Sequence, residues 1–173
     1  MPYDNQNLLL TKQEKNSLVK SNQLSMKYLK RIVGSKEFIQ NLERWCLWIP
    51  TENLSEAQKI EEIALRIEKV KIFRLSKTDK SAKKLATRPH QFREFRSTTS
   101  QTLVIPSVSS ENRPYIPIGF IGKETIVSNL AFAIYNCEPW IFGLISSRIH
   151  MVWIRTVCGS LETRLRYSSG LGY

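Results

Sequence analysis

Apolar and polar positions alternate along the chain so as to predict helices first and strands later. Leu8, Leu9 and Leu10 form a short apolar patch. Thr11 follows, with Glu14 three positions on, the pattern of a capping box, which predicts a helix through about Val19. Over residues 25–39, Met26, Leu29, Ile32 and Val33 recur at helical spacing, and Gly34 marks a break before a second short turn. The period then changes. Arg44-Trp45-Cys46-Leu47-Trp48-Ile49, closed by Pro50, is short and bulky enough to be a buried strand. Over residues 55–75, the spacing of Ile60, Ile63, Ala64, Ile67, Val70 and Lys71 fits one long amphipathic helix with a charged outer face, spanning or buttressing two parts of the domain.

Residues 102–108, 115–121 and 127–135 each combine β-branched or aromatic side chains with turn residues between them, which predicts a three-stranded antiparallel meander. Pro139 stands where a helix can begin, and residues 140–157 read as one apolar helix ended by Gly159. A last strand is expected over residues 161–167. The fold class is therefore α+β: a mixed, mainly antiparallel sheet in the C-terminal half, an N-terminal helical part and one long amphipathic helix.

Composition sharpens this picture at one point. Of the 173 residues 42% are hydrophobic, with seven Gly and seven Pro, as in a folded domain or two small lobes. Against 15 Asp and Glu stand 26 Lys and Arg, a formal charge of +11. Such an excess implies an anionic partner, nucleic acid foremost, since neutralising phosphates needs many cations over a surface. A basic composition that merely keeps a small protein soluble is the alternative. Cys46, Cys137 and Cys158 are too far apart for a zinc cluster and read as reduced thiols. There is no signal-peptide pattern and no apolar run of about 18 to 20 residues, so a soluble cytoplasmic protein without a membrane partner is expected.

The sequence has no Gly-rich phosphate loop, dinucleotide fingerprint or metal-ligand spacing, so neither a catalytic residue nor a metal is expected. His90 and His150 stand alone, and His150 on an apolar helix reads as a packed residue. The most basic stretch is 77–96, with Lys83, Lys84, Arg88, Arg93 and Arg96 interleaved with His90, Phe92 and Phe95. It fits a solvated loop and helix end, or an edge that contacts phosphates. In Leu161-Glu162-Thr163-Arg164-Leu165-Arg166-Tyr167, a strand would turn Glu162, Arg164 and Arg166 to one face. Guanidinium forks pair with guanine and a carboxylate accepts from the cytosine amino group, so this face suits base edges; an exposed strand with an internal salt bridge fits equally.

Several segments then carry a resemblance. "RWCLWIP", "FIQN", "IPSVSSENRPYIPIGF", "GFIGKETIVSNLAFAI", "WIFGLISSRIHMVWIR" and "VCGSLETRLRYS" together resemble the target-recognition region of MmeI-like enzymes, single-chain restriction–modification proteins with a fused adenine methyltransferase. The resemblance covers nearly the whole chain. It implies that residues 43–173 form a domain reading double-stranded DNA, with residues 1–42 its N-terminal helical part. The partners it implies are double-stranded DNA and the methyltransferase domain of the parent enzyme.

In that family, base-reading side chains lie on the strand after the "HMVWIR" helix and on an earlier strand. The first set corresponds to Glu162, Arg164 and Arg166, the second to Asn129 and Leu130. Asn129 has the amide to pair with adenine, whereas Leu130 offers apolar contact only. Arg148, Arg155, Ser107, Ser109 and Ser110 fit phosphate or loop contacts; for the serines a turn-forming hydroxyl fits as well. The methyltransferase Asn-Pro-Pro-(Tyr or Phe) motif and the nuclease motif are absent from this sequence. The chain is thus expected to be no enzyme by itself and to hold no cofactor, S-adenosylmethionine belonging to the full-length enzyme. It is also expected to be a fragment, since the family pattern would run on beyond Gly172 and Tyr173.

Overall fold

The computed structural model describes residues 4–96, 98–168 and 170, so that Gly172 and Tyr173 lie outside the described residues. In chain order the first elements are β1 (Leu9–Leu10), α1 (Lys12–Ser21), β2 (Leu29–Val33), α2 (Ser35–Gln40), β3 (Trp45–Leu47), α3 (Leu54–Ala57), α4 (Glu61–Leu75) and α5 (Lys80–Leu85). There follow β4 (Thr102–Pro106), β5 (Val108–Ser109), β6 (Gly119–Ile121), β7 (Thr125–Val127) and β8 (Ala131–Tyr135). Helices α6 (Pro139–Ile145) and α7 (Arg148–Val157) and strands β9 (Ser160–Leu161) and β10 (Arg164–Arg166) complete the chain. These elements form two units, residues 1–31 with 43–96, and residues 32–42 with 97–173. The fold is α+β, and all of the strand pairings below are antiparallel.

In the first unit the buried β3 pairs with β1 on one side, Leu9 opposite Cys46, and with β2 on the other, Leu29 opposite Leu47. Ile63, Ile67 and Val70 of α4 join Leu8, Leu10 and Leu47 in its core. The stretch expected to be helical over residues 25–39 is instead a 3-10 turn, the strand β2 and the short α2. Met26 is half exposed while Leu29 is buried opposite Leu47, because strand pairing outweighs the weak helical spacing; Ile32 and Val33 are buried as well, Val33 packed with Val104 and Ala131. The single helix expected over residues 55–75 is interrupted: Ile60 is extended and buried, and α4 starts anew behind it with Glu61 and Glu62 in its first turn. Its outer face is not purely charged, for Leu65, Ile72 and Leu75 are exposed.

The capping box at α1 forms as expected, and it reaches further. The Thr11 N–H donates to Glu14 Oε2 (2.8 Å) and Arg66 donates to Glu14 Oε1 (2.9 Å). These two interactions, the backbone bond first, lower the Glu14 carboxyl from an ordinary 4.5 to about 2. A depressed carboxyl stabilises the fold above its unfolded-state value and loses that contribution as pH falls towards 2. Because the side chain is 45% exposed, solvent screening leaves about 1 kcal/mol of the nominal gain. Glu14→Gln should therefore lower the melting temperature at pH 7 by a few degrees and close the gap to wild type near pH 2, as read by thermal unfolding across pH.

In the second unit β4 is central, flanked by β6 and β8, so the expected meander is corrected to the order β6-β4-β8. All five residues of β4 are buried, and a strand covered on both faces takes two neighbours more readily than an edge position. Leu103, Ile105, Ile116, Ile145, Met151 and Ile154 form the core. The apolar run at 140–157 is two helices, because Ser147 is extended and its hydroxyl accepts from the His150 N–H (3.1 Å), starting α7 afresh. The strand expected over residues 161–167 is a hairpin, β9 turning through Glu162 and Thr163 into β10.

Candidate nucleic-acid interface

The candidate base-reading residues follow from how β10 is held. It pairs with β9 (Arg164 opposite Leu161) and with β5 (Leu165 opposite Ser109, Arg166 opposite Val108). Leu165 packs on the core, so the alternation of a strand leaves Arg164 and Arg166 exposed on the other face. Glu162 does not share that strand, which corrects the expectation. It occupies the hairpin turn at φ 57°, a left-handed conformation that costs a non-glycine residue about 1 kcal/mol or more. From there its carboxylate accepts from Arg164 Nη2 at 2.7 Å. Both partners are well exposed, and such a pair contributes about 0 to 1 kcal/mol. So weak a pair orients the guanidinium without locking it, and leaves the fork free to exchange partners.

Asn129 and Leu130 lie in the turn between β7 and β8, not on a strand as expected, and both are exposed. The turn is pinned through its backbone: Leu130 O accepts from the Ser107 hydroxyl (2.9 Å), the Ser35 N–H (3.3 Å) and the Ser35 hydroxyl. Ser107 also ties down the other segment, since its carbonyl accepts from the Tyr167 N–H at 2.9 Å. Ser107 is thus a common anchor for two segments far apart in sequence that carry the candidate base readers. Ser109, expected at phosphate, is instead buried in β5, with its hydroxyl out of reach of a phosphate.

Arg148 and Arg155 are exposed about two turns apart on α7 and line one groove with Asn112, Pro114 and Tyr115. Arg155 also lines a second depression that reaches Ser160 and Thr163 of the hairpin. Arg155 thus stands beside both depressions, and Arg148 beside the first alone. Of the residues lining the groove opposite α7, Asn112 lies in a segment that the sequence pattern reads as a turn, whereas Tyr115 opens one that it reads as a strand and that becomes strand only from Gly119.

Nearly all of the positive excess belongs to the first unit. There Lys83 and Lys84 on α5, and Arg93 and Arg96 beyond it, are exposed. Arg88 is not available in the same way: half-buried, it donates to Arg93 O (2.7 Å) and shapes the loop. Phe92 and Phe95 are not open stacking platforms either. Trp48 stacks on Phe95 with ring centroids 3.9 Å apart and 9° between planes, and on Phe92 at 6.3 Å. His90 is buried, and burial first, then Arg74 and Arg88, lowers its pKa, so the imidazole is held neutral rather than offered as a cation. The basic stretch is thus a fastened edge of the core.

Among the described residues no group of three or more side chains is arranged to hold a metal ion, and no helix is long and apolar enough to cross a membrane. His150 meets the Tyr167 hydroxyl at 3.2 Å, a packed residue as expected.

A family profile described as "MmeI, target recognition domain" matches residues 1–173. The chain belongs to the MmeI target recognition domain family. It is 42% identical over 176 residues to DNA methyltransferase A of Bacillus subtilis (strain 168), covering 100% of this chain and 20% of that protein. The solved structure of the Type IIL restriction-modification enzyme MmeI in complex with DNA superposes with a TM-score of 0.94 at 43% identity, over 99% of this chain and 23% of that one. The chain spans about a fifth of the length of these relatives. In this MmeI-type domain the hairpin turn and the Ser35 pin escape sequence reasoning: Glu162 and Thr163 are not turn formers, and a serine after a glycine reads only as a helix start.

Proposed function

We propose that this chain reads a specific sequence in double-stranded DNA as the target-recognition part of a restriction–modification adenine methyltransferase. The observation that carries the reading is the pair of exposed segments anchored on Ser107, one presenting Arg164 and Arg166, the other Asn129 and Leu130. Arginine forks match guanine, an amide matches adenine, and a leucine suits a thymine methyl, so the set has the groups of direct readout. Glu162 sets the reach of Arg164 and can itself accept from cytosine. Lys83, Lys84, Arg93, Arg96, Arg148 and Arg155 supply phosphate contacts, which add affinity without sequence preference. Membership of the family, and a relative solved in complex with DNA, support the same reading. Catalysis and S-adenosylmethionine belong, on this reading, to the methyltransferase part of the parent enzyme, and the chain works in the cytoplasm beside the DNA.

Titration of the chain with randomised duplex DNA at salt concentrations between about 50 and 200 mM, followed by sequencing of the bound fraction, tests this. An enriched motif is expected, with affinity falling steeply as salt rises. The Lys83→Ala/Lys84→Ala double variant should keep the motif and lower the slope of log affinity against log salt by about 2. Binding without any enriched motif would favour a second reading, a structural module docked on the methyltransferase domain of the parent. The observation behind it is the exposed apolar face of α6 and α7, with Trp140, Leu144, Ile149, Val152 and Trp153.

A further inference from the structure

We infer that Ser35 and Gly34, at the start of α2, are positioning residues that set the specificity of the turn bearing Asn129 and Leu130. The inference rests on the base-reading role proposed for that turn. Neither residue offers a group to a base, yet both fix where the turn sits. The Ser35 hydroxyl accepts from the Ser107 N–H (2.9 Å) and donates to Leu130 O, while the Ser35 N–H donates to the same carbonyl at 3.3 Å. One hydroxyl thus bridges the strand connection at Ser107 and the turn. Ser128, at the other end of the turn, is held by its own backbone: its N–H donates to Val33 O at 2.8 Å, one residue before Gly34.

Gly34 sits directly beneath. A Cβ added there would meet Ser128 Oγ at 2.8 Å, Glu37 Oε2 at 2.9 Å and Leu130 Cβ at 3.1 Å. Two of these three atoms belong to the reading turn, and the third, Glu37 Oε2, already accepts from the Gly34 N–H at 2.9 Å and closes the start of α2. Glu37 is buried and held by that bond, so it cannot simply swing aside. The glycine is required here by close approach and not by backbone conformation, since its φ of −110° is open to any residue. A methyl group would therefore lift the turn. A shift of some tenths of an ångström is enough to spoil a bidentate amide–adenine geometry, because hydrogen bonds weaken steeply with misalignment.

The test uses the full chain and the randomised-duplex selection, with Asn129→Ala and Arg164→Ala defining which base positions depend on each segment. Ser35→Ala is expected to reduce discrimination about tenfold at the position that Asn129→Ala relaxes, leaving the position that Arg164→Ala relaxes and the salt slope unchanged. Ser35→Thr, which retains the hydroxyl, should restore it. Gly34→Ala should alter preference at the same position. Hydrogen exchange of residues 128–131 in the free chain should speed up in Ser35→Ala, with the melting temperature within a few degrees of wild type. Faster exchange with an unchanged motif, or an equal loss at every position, overturns the inference. Should Asn129→Ala move no position at all while exchange still responds, the base-reading proposal for the turn fails, and the specificity role of Ser35 falls with it.

Discussion

Arg164→Ala is expected to relax DNA sequence preference at a single base pair by about 1 to 3 kcal/mol, some five- to 150-fold, while binding to other sequences changes little. The size follows from the site. The guanidinium stands exposed on a strand that is paired on both sides and tacked to the core by Leu165, so little is lost in ordering it. Its partner in the free chain is the exposed Glu162 carboxylate, a pair too weak to compete with a bidentate base contact. Arg164→Lys should behave more like alanine than like arginine at that position, because an ammonium lacks the planar fork. Competition titrations with the selected motif and its single-base variants measure the effect. A uniform drop across all sequences would assign Arg164 to phosphate instead.

The largest effect on stability is expected at Arg74. Its guanidinium is 1% exposed and donates to three loop carbonyls, Leu85 O (2.8 Å), Arg88 O (2.9 Å) and Gln91 O (2.8 Å). The fully buried Asp4 supports its charge, and Arg74 in turn opposes the burial that raises the Asp4 carboxyl. Removing one member of such a network leaves a buried charge and three carbonyls without donors, which costs about 3 to 5 kcal/mol. Arg74→Met should therefore lower the melting temperature by about 10 °C in thermal unfolding. It should also weaken salt-dependent DNA binding, since the same carbonyls shape the loop that leads from Lys83 and Lys84 to Arg93. Arg74→Lys keeps a charge but cannot reach three carbonyls in one plane, so it should recover part of the stability only. An unchanged melting temperature in Arg74→Met would show that the loop holds itself.

Position 74 carries a signal of its own in the sequence. Ile63, Ile67 and Val70 define the buried stripe of α4, and Arg74 continues it at the same spacing. Its type argued for surface, its register for burial, and register prevails because three converging carbonyls satisfy the fork. Among the arginines of the basic stretch the same competition separates Arg88, spent on its loop, from Arg93 and Arg96, which are exposed.

Local and additive properties were legible in the residues. The Thr11–Glu14 capping box depends on four consecutive positions and forms, and the charge of +11 depends on composition alone; of the six-residue aromatic run before Pro50, Trp45–Leu47 is strand. The ordered set of segments resembling MmeI-like enzymes was legible for the same reason, since motif order is a property of the chain. Pairing was not. Leu29–Val33 is a strand because other strands, Trp45–Leu47 among them, lie beside it, and the hairpin at Glu162 and Thr163 forms without a turn residue because β5 and the core hold β10 in register. Asn129 and Leu130 could be named from the sequence, but Ser35, nearly a hundred positions away, decides where their turn stands. A hydrogen bond or a buried methyl acts over a few ångströms of space, and which residues share that space is set by the packed fold.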